Sequence, residues 1–333
     1  MMMNSSLALS VIHCSGSDAT DFLHNQLSQA VSDLNPQQAR LFNYCSPRGR
    51  VLANGLVWKA ADQATAAADN HNEHTTSDNH YYLLVHQSIA QSLLKRLQMF
   101  VLRAKVKLEL LNSSVAASFS GNDSTANPLK ATDWSLPISY GPKATHICIQ
   151  APGLDQAPLR FWHITLDAKA DSAPSGLIEP QAWLAQELQT GWAWVTEATT
   201  DLFLPQNLNQ DLLPAVNFSK GCFPGQEVVA RSHYRATIRR RAVLVSSQAP
   251  ELLSLDSFSL AGTDIVTLAN EEPRIAGRVA MAAQVSGKLW ALVETNLDFI
   301  LNQEALYLAE QTETALKLET LPYQDDLPWE KKK

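Results

Sequence analysis

The segment that decides the fold reads Lys220-Gly221-Cys222-Phe223-Pro224-Gly225-Gln226-Glu227. Two glycines and a proline surround its cysteine, and this composition predicts a tight turn. The residues that follow, from Gln226 to Ser232, favour a helix, so the turn would place Cys222 just ahead of a helix N-terminus. Backbone N–H groups and the helix dipole favour a thiolate at such a position, and Lys220 acts in the same direction. Cys222 is therefore the predicted functional thiol.

Each residue of this segment also has a purely structural interpretation. Most free cysteines are small buried hydrophobic residues, although such a cysteine needs neither flanking glycines nor a lysine. Glu227 can be a first-turn residue stabilised by the helix dipole or a member of a site. Downstream, six basic side chains concentrate positive charge, which is either a solvated face or an anion-binding patch for phosphate or a polycarboxylate. They are Arg231, His233, Arg235, Arg239, Arg240 and Arg241.

Composition limits the class of protein. A chain of 333 residues predicts two or three domains. The net charge of −7 argues against a general electrostatic grip on nucleic acid. The four cysteines lie far apart without metal-ligand or disulfide spacing, so we expect no metal site and a reducing compartment. The N-terminus lacks the features of a secretory signal and no window is apolar enough to cross a bilayer, so we expect a cytoplasmic protein without membrane contact.

The order of predicted elements indicates two mixed α/β parts. A strand from Leu7 to Cys14 precedes a helix, and strands over 39–45 and 51–59 form a hairpin. The polar segment 60–80 is interpreted as an exposed loop insertion whose histidines, His71, His74 and His80, are solvated. Strands over 115–119, 146–150 and 161–166 follow, and a helix runs from Ala182 until Gly191 ends it.

After Arg241 the pattern changes to short apolar strands separated by turn residues, which is typical of a small antiparallel barrel or sandwich. The strands are predicted at 242–246, 258–260, 265–268, 275–282, 289–294, 305–308 and 316–318. The sequence therefore divides into a first α/β region over 1–112, a second over 113–235 and a β domain over 236–333.

The central motif resembles a known signature. The residues K-G-C-F-P-G-Q-E-V-V-A-R, Lys220 to Arg231, resemble the K-G-C-[FY]-x-G-Q-E signature of the YgfZ family, folate-binding proteins related to the glycine-cleavage T-protein. Supporting segments are Leu204 to Leu208, Phe22 to Val31 with Gln26, Cys45 to Arg50 and Leu321 to Tyr323. The resemblance spans the chain except for the 60–80 insertion.

The resemblance implies an α+β architecture with two ferredoxin-like regions and a C-terminal antiparallel β-barrel around a central cavity. That cavity would hold tetrahydrofolate or a derivative. Members of the family act as folate-dependent factors in the maturation or repair of iron–sulfur proteins, and thereby support tRNA modification such as methylthiolation. The expected partners are folate and iron–sulfur proteins or their assembly factors, and turnover of the folate is not implied.

Site residues follow from the same resemblance. Trp183 stands where the family has a folate-contacting tryptophan, and an indole face suits stacking on a pterin. Two positions depart from the pattern. Leu9 replaces a second tryptophan, and Gln189 replaces a glutamate that would pair with the donor edge of the pterin. The motif residues carried over are Lys220, Gly221, Cys222, Gly225, Gln226, Glu227 and Arg231.

Two other functions stay open at this point. A folate-dependent aminomethyltransferase is one, although the T-protein class does not use the cysteine turn. A tRNA-binding regulatory protein that uses the arginines from 231 to 241 is the other, against which the overall acidity counts.

Overall fold

The computed structural model describes residues 6–61, 79–120, 136–141, 145–154, 157–167, 177–235, 238–269 and 272–329. These residues form a nine-stranded sheet with packed helices and a closed six-stranded barrel. The predicted fold class, α+β with a C-terminal antiparallel barrel, is confirmed. Most of the predicted 60–80 loop lies outside the described residues, as do His71 and His74.

The first part of the chain builds five strands of the sheet. Its elements are β1 (Leu9–Gly16), α1 (Ala19–Gln26), β2 (Gln38–Cys45), β3 (Val51–Lys59), β4 (Asn79–His86), α2 (Gln87–Met99) and β5 (Lys107–Leu110). The strands lie in the order β5-β1-β4-β3-β2 and pair antiparallel. The predicted hairpin is present as β2 and β3.

Two helices cover one face of these strands. Helix α2 has apolar residues at helical spacing, and Ile89, Leu93 and Leu97 are buried against the sheet. Helix α1 begins after Asp18, whose side chain makes no cap hydrogen bond and accepts a hydrogen bond from the Lys105 N–H at 2.7 Å. Asp18 therefore links the start of α1 to the loop before β5.

The second part continues the same sheet. Its elements are β6 (Ser114–Phe119), β7 (Leu136–Tyr140), β8 (His146–Ala151), β9 (Arg160–Thr165) and α3 (Pro180–Gln189). Gln38 and Ala39 of β2 pair with Pro137 and Leu136 of β7, so the order runs on as β2-β7-β8-β9-β6. Strands β8 and β9 alternate between buried and half-buried residues, which is the pattern of a sheet with one core face.

A linking segment leads to the barrel. It contains a 3₁₀ turn (Pro205–Leu208) and α4 (Gln226–Arg235). The barrel elements are β10 (Arg240–Ser247), α5 (Pro250–Leu253), β11 (Asp264–Ala269), β12 (Glu272–Val285), β13 (Lys288–Asn296), α6 (Leu297–Leu301), β14 (Leu306–Leu308) and β15 (Gln311–Glu319). They close in the order β10-β13-β12-β11-β14-β15.

One predicted barrel strand is wrong. Residues Ser257–Leu260 form a 3₁₀ turn, in which the Ser259 N–H and hydroxyl both bond to the carbonyl of Asp256. Local hydrogen bonds to a serine compete with strand pairing there.

The sheet, α3 and the barrel share one apolar core on the face opposite α1 and α2. This core contains Trp58, Trp162 and Trp183, all fully buried. The candidate ligand cavity lies within this contact between the parts.

Candidate functional site

Cys222 lies on an exposed turn, four residues before the first residue of α4. The next side chain, Phe223, is buried in a small cluster with Val216 and Val229. This cluster holds the turn onto α4 and leaves the thiol open to solvent. The structure therefore agrees with a turn that presents Cys222, the position expected of a thiol that acts on a partner.

Gly225 fixes the path of the turn. It has a left-handed φ of +79°, and a β-carbon on it would lie 2.7 Å from the Cα of Gly49. Gly49 follows Ser46 in the Cys45 to Arg50 segment, so two segments picked out by the sequence pack directly together. Gly221 differs, because a β-carbon there would meet nothing within 4 Å. Close packing explains why position 225 is a glycine. It does not explain the glycine at position 221.

Lys220 ties the turn to the first helix. Its Nζ donates to the backbone carbonyls of His24 and Leu27 at the end of α1, the latter at 2.7 Å, and lies 5.2 Å from the ring centre of Phe223. Cations are favoured at helix C-termini, where carbonyls lack partners. Burial lowers the pKa of Lys220 to about 8, and nearby Cys222 opposes that shift. Lys220 thus acts first as an anchor for the turn.

Glu227 and Arg231 lie on the outer face of α4. Their side chains are exposed and form an i,i+4 ion pair at 3.2 Å. Gln226 is half-buried, and its N–H closes the turn onto the carbonyl of Phe223 at 3.1 Å. The structure shows Glu227 in the first turn of the helix with a local partner, as its structural interpretation predicts.

Three arginines of the predicted anion-binding patch form ion pairs within the protein. Each has a carboxylate partner: Arg239 with Asp298 at 2.6 Å, Arg240 with Glu294 at 2.6 Å and Arg241 with Asp211 at 2.5 Å. Their positive charge is neutralised within the protein, and the side chains of Arg241 and Asp211 are buried together. Arg240 is half-exposed, and with Arg239 it lines a cleft that Arg50 and Arg278 also line, so anion binding there stays a prediction.

An inner pocket lies between the three parts of the chain, where the central cavity was expected. Its walls include Leu9 from β1, His86 from the end of β4, Trp183 and Glu187 from α3, Met281 from β12, and Trp194 from the segment after α3. The cavity has a volume of about 40 Å³. The walls are mainly apolar with one carboxylate, which is the usual composition of a site for a small organic ligand.

An outer cleft adjoins the inner pocket. The two cavities share His86 and Met281, and the cleft has a volume of about 440 Å³. Ser88, Thr196 and Ser257 give it a polar wall. The two cavities thus combine a small, mainly apolar inner part with a larger outer part that carries hydroxyl groups.

Glu187 is the polar centre of the inner pocket. It is buried, and its Oε1 accepts from Trp162 Nε1 at 3.1 Å while its Oε2 accepts from Trp194 Nε1 at 2.7 Å. Burial raises the pKa of Glu187 to about 7, against the opposing effects of Arg160 and the indole N–H groups. A carboxylate with a pKa this close to neutrality inside a cavity is typical of functional sites.

Sequence reasoning missed Glu187 and favoured Gln189 instead. Gln189 does not line the pocket, because its side-chain amide donates to the Ala185 carbonyl of its own helix at 3.1 Å. A signal for Glu187 was present, since it follows Trp183 by one helical turn and therefore shares its face of α3. Trp183 and Leu9 do line the pocket, and their part in ligand binding stays a prediction.

The described residues contain no group of three or more His, Cys, Asp or Glu side chains arranged to hold a metal ion. His80, from the polar insertion, contacts His13 with 3.1 Å between ring nitrogens. Across the same described ranges, no helix is both long and apolar enough to cross a membrane.

Proteins of known sequence are similar to this chain over most of its length. The chain is 23% identical to the tRNA-modifying protein YgfZ of Sodalis glossinidius (strain morsitans) over 320 residues, covering 94% of this chain and 90% of that protein. It is 24% identical to the protein of the same name from Klebsiella pneumoniae (strain 342), covering 93% and 89%. No protein-family profile matches the chain.

The fold has a relative among solved structures. The crystal structure of the glycine cleavage system aminomethyltransferase T from Bartonella henselae superposes with a TM-score of 0.64 at 14% identity, covering 96% of this chain and 85% of that one. The resemblance inferred from the cysteine motif is thus confirmed: over nearly its whole length this chain is related to proteins named tRNA-modifying protein YgfZ, and it has a T-protein-like fold.

Proposed function

We propose that this protein is a folate-binding accessory factor that supports tRNA modification, including methylthiolation, through the maturation or repair of iron–sulfur proteins. The observation that carries the folate part is the buried Glu187 carboxylate, which lines the inner pocket among tryptophans. The tRNA part is supported by the names of the relatives. The iron–sulfur part follows from the family resemblance of the cysteine motif.

The side chains that line the two cavities match the chemistry of the two ends of a reduced folate. A pterin is flat and has an amide N–H beside an amino group, so a carboxylate can accept from both. Glu187 supplies such a carboxylate and the neighbouring Trp183 an aromatic surface. The benzoylglutamate tail would then extend past His86 and Met281 into the outer cleft.

Cys222 would be a second functional element, separate from the folate. Neither the inner pocket nor the outer cleft is lined by residues 220–227. Of the roles open to this thiol, contact with a partner thiol or an iron–sulfur cluster is therefore favoured over attack on a one-carbon unit carried by the folate. Thiolates are the usual ligands of such clusters.

Direct binding of tRNA is less favoured, because three of the arginines proposed to carry it, Arg239, Arg240 and Arg241, are paired with carboxylates. An aminomethyltransferase activity is favoured only by likeness of fold, and fold alone does not carry function. We rank both below the accessory factor.

The folate proposal is tested by calorimetric titration with tetrahydrofolate under anaerobic conditions. Glu187→Gln should weaken binding at least about tenfold, as expected when a charged acceptor of two hydrogen bonds is lost. Gln189→Ala is the matched control on the same helix and should bind like the wild type. If the wild type binds no tetrahydrofolate, the proposed ligand is wrong. If Gln189→Ala weakens binding and Glu187→Gln does not, Gln189 is the ligand-reading residue.

The role of Cys222 is tested in a strain that lacks the gene. The wild type should restore methylthiolated tRNA and the activity of iron–sulfur enzymes, Cys222→Ala should restore neither, and Cys148→Ala is the control. Full restoration by Cys222→Ala would remove the thiol from the mechanism. Restored tRNA modification with no change in iron–sulfur enzymes would remove the iron–sulfur step.

A further inference from the structure

A buried arginine lies behind the inner pocket. Arg160, the first residue of β9, is 1% exposed, and its Nε donates to the carbonyl of Pro152 at 3.0 Å. Its Nη1 and Nη2 are also buried and make no hydrogen bond to any described residue. The guanidinium lies 4.6 Å from the ring centre of Trp183. Such a cation is costly to bury, so its retention calls for an explanation.

Glu187 is the acid that interacts with this cation. Trp162, two residues after Arg160 on β9, donates to Glu187 Oε1 at 3.1 Å, which brings the two charged side chains into one buried region. Each side chain shifts the pKa of the other toward its charged form. Both are buried, so little solvent screens the attraction between them. Trp183 connects Arg160 to the pocket, because its ring contacts the guanidinium and also lines the pocket.

The other groups that face Glu187 do not supply a charge. Trp162 of β9 and Trp194 donate neutral N–H groups to its oxygens, and Trp183 of α3 lies near it without a hydrogen bond from its Nε1. His86, at the junction of β4 and α2, shares the pocket, and burial lowers its pKa to about 4. Met281 of β12 is apolar. Arg160 is thus the cation acting on Glu187 among the residues that the structure describes.

The charge of Glu187 decides what the pocket can bind. An ionised carboxylate only accepts hydrogen bonds, and after the bonds from Trp162 and Trp194 each oxygen keeps one acceptor position. A protonated carboxyl would present an O–H to the ligand and oppose an incoming N–H. We propose that Arg160 is a positioning residue that favours the ionised form of Glu187 and thereby makes the inner pocket a receptor for neutral heterocycles with two adjacent N–H donors.

This inference rests on the proposed function for its ligand, so the first test uses no ligand. In ¹⁵N-labelled protein, the Nε1–H resonances of Trp162 and Trp194 are assigned with Trp→Phe variants and followed as the pH is changed. The chemical shifts of both resonances should change with the protonation of Glu187 and share one midpoint pH. In Glu187→Gln this shared transition should be absent. In Arg160→Met the midpoint should rise by about one pH unit or more, because the nearby positive charge is lost. Arg160→Lys should leave it near the wild-type value.

An unchanged midpoint in Arg160→Met overturns the proposal, and so does an equal rise in Arg160→Lys. If Arg160→Met does not fold, the double variant Arg160→Met with Glu187→Gln decides. Recovery of folding there shows that the unpaired carboxylate was the defect, whereas continued failure shows that Arg160 acts through packing alone and ends the proposal.

Tetrahydrofolate then separates this inference from the proposed function. Binding by Arg160→Met should be at least about fivefold weaker than wild type at pH 7 and recover at higher pH, following the displaced midpoint. A displaced midpoint in a protein that binds no tetrahydrofolate would reject the folate and support the role of Arg160. Binding by Arg160→Met that equals wild type at every pH would reject that role.

Discussion

Gly225 and Gly49 pack against each other with no room for a side chain, because a β-carbon on Gly225 would lie 2.7 Å from the Cα of Gly49. The contact joins the cysteine turn to the loop between β2 and β3. The turn and this loop are far apart in sequence. It fixes the turn from one side, while Lys220 ties it to the end of α1 from the other. The exposed thiol is therefore carried on a rigid support.

The two glycines of the motif should differ in their tolerance of alanine. Gly225→Ala combines a left-handed φ with a steric conflict, and we expect it to lower the free energy of unfolding by about 1–3 kcal/mol. Gly221→Ala is the matched control, with open space around its β-carbon, and should change stability by no more than about 0.5 kcal/mol. Urea denaturation of both variants is the measurement. Equal losses would show that the contact with Gly49 does not constrain the turn.

Thiol labelling should distinguish Cys222 from the other cysteines. Cys222 is exposed, Cys148 is half-buried, and burial raises the pKa of both Cys14 and Cys45 to about 12. With a limited amount of iodoacetamide, Cys222 should be modified first, and Cys14 and Cys45 only after unfolding. Peptide mass spectrometry gives the order.

The control for this labelling is Cys222→Ser, which should lose the fast phase and keep the remaining pattern. A fast reaction at Cys14 or Cys45 in the folded protein would contradict the burial of β1 and β2 described above.

Local patterns were sufficient to predict most of the fold. The helix expected from Ala182 until Gly191 is present as α3, and strand patterns indicated the hairpin and nearly all barrel strands, because these features depend on neighbours in sequence. The turn at Ser257–Leu260 was missed, since a short apolar run does not reveal that Ser259 bonds back to Asp256.

The candidate site was harder to predict because its partners are distant in sequence. Nothing near Arg241 in the chain indicates that Asp211 neutralises it, and nothing near Glu187 indicates that Trp162 and Trp194 donate to its oxygens. Only the folded chain distinguishes a structural arginine from one that is open to a ligand, or identifies which carboxylate lines a cavity.

The ion pair of Arg241 and Asp211 should be structural. Both side chains are more than nine-tenths buried, so Arg241→Met leaves an unpaired carboxylate and should cost about 3–5 kcal/mol of stability. Arg231→Ala, which removes an exposed partner of Glu227, is the control and should cost about 0.5 kcal/mol or less. Thermal and urea unfolding measure both. A stable Arg241→Met variant that has lost affinity for a phosphate polyanion would instead restore the anion-binding hypothesis for this arginine.

Glu187 should make stability depend on pH in a defined direction. Burial raises its pKa from the ordinary 4.5 to about 7, so between these values the folded state binds more protons than the unfolded state. The contribution of Glu187 to stability is therefore greatest at low pH and is lost as the pH rises through about 7. Relative to Glu187→Gln, the wild type should lose about 2 kcal/mol of unfolding free energy between pH 5.5 and pH 8.

The comparison of the two proteins cancels the titration of other groups, including His86, whose pKa burial lowers to about 4. Urea unfolding at a series of pH values provides the two curves. Parallel curves would mean that Glu187 keeps its ordinary pKa in the folded protein, and a wild type that gains stability relative to Glu187→Gln as the pH rises would mean that the carboxylate is stabilised in its charged form. Either result would remove the reason for treating the carboxylate as poised near neutrality. The expected loss of wild-type stability relative to the variant toward high pH would show that the protein retains a destabilising charge at the centre of its ligand pocket.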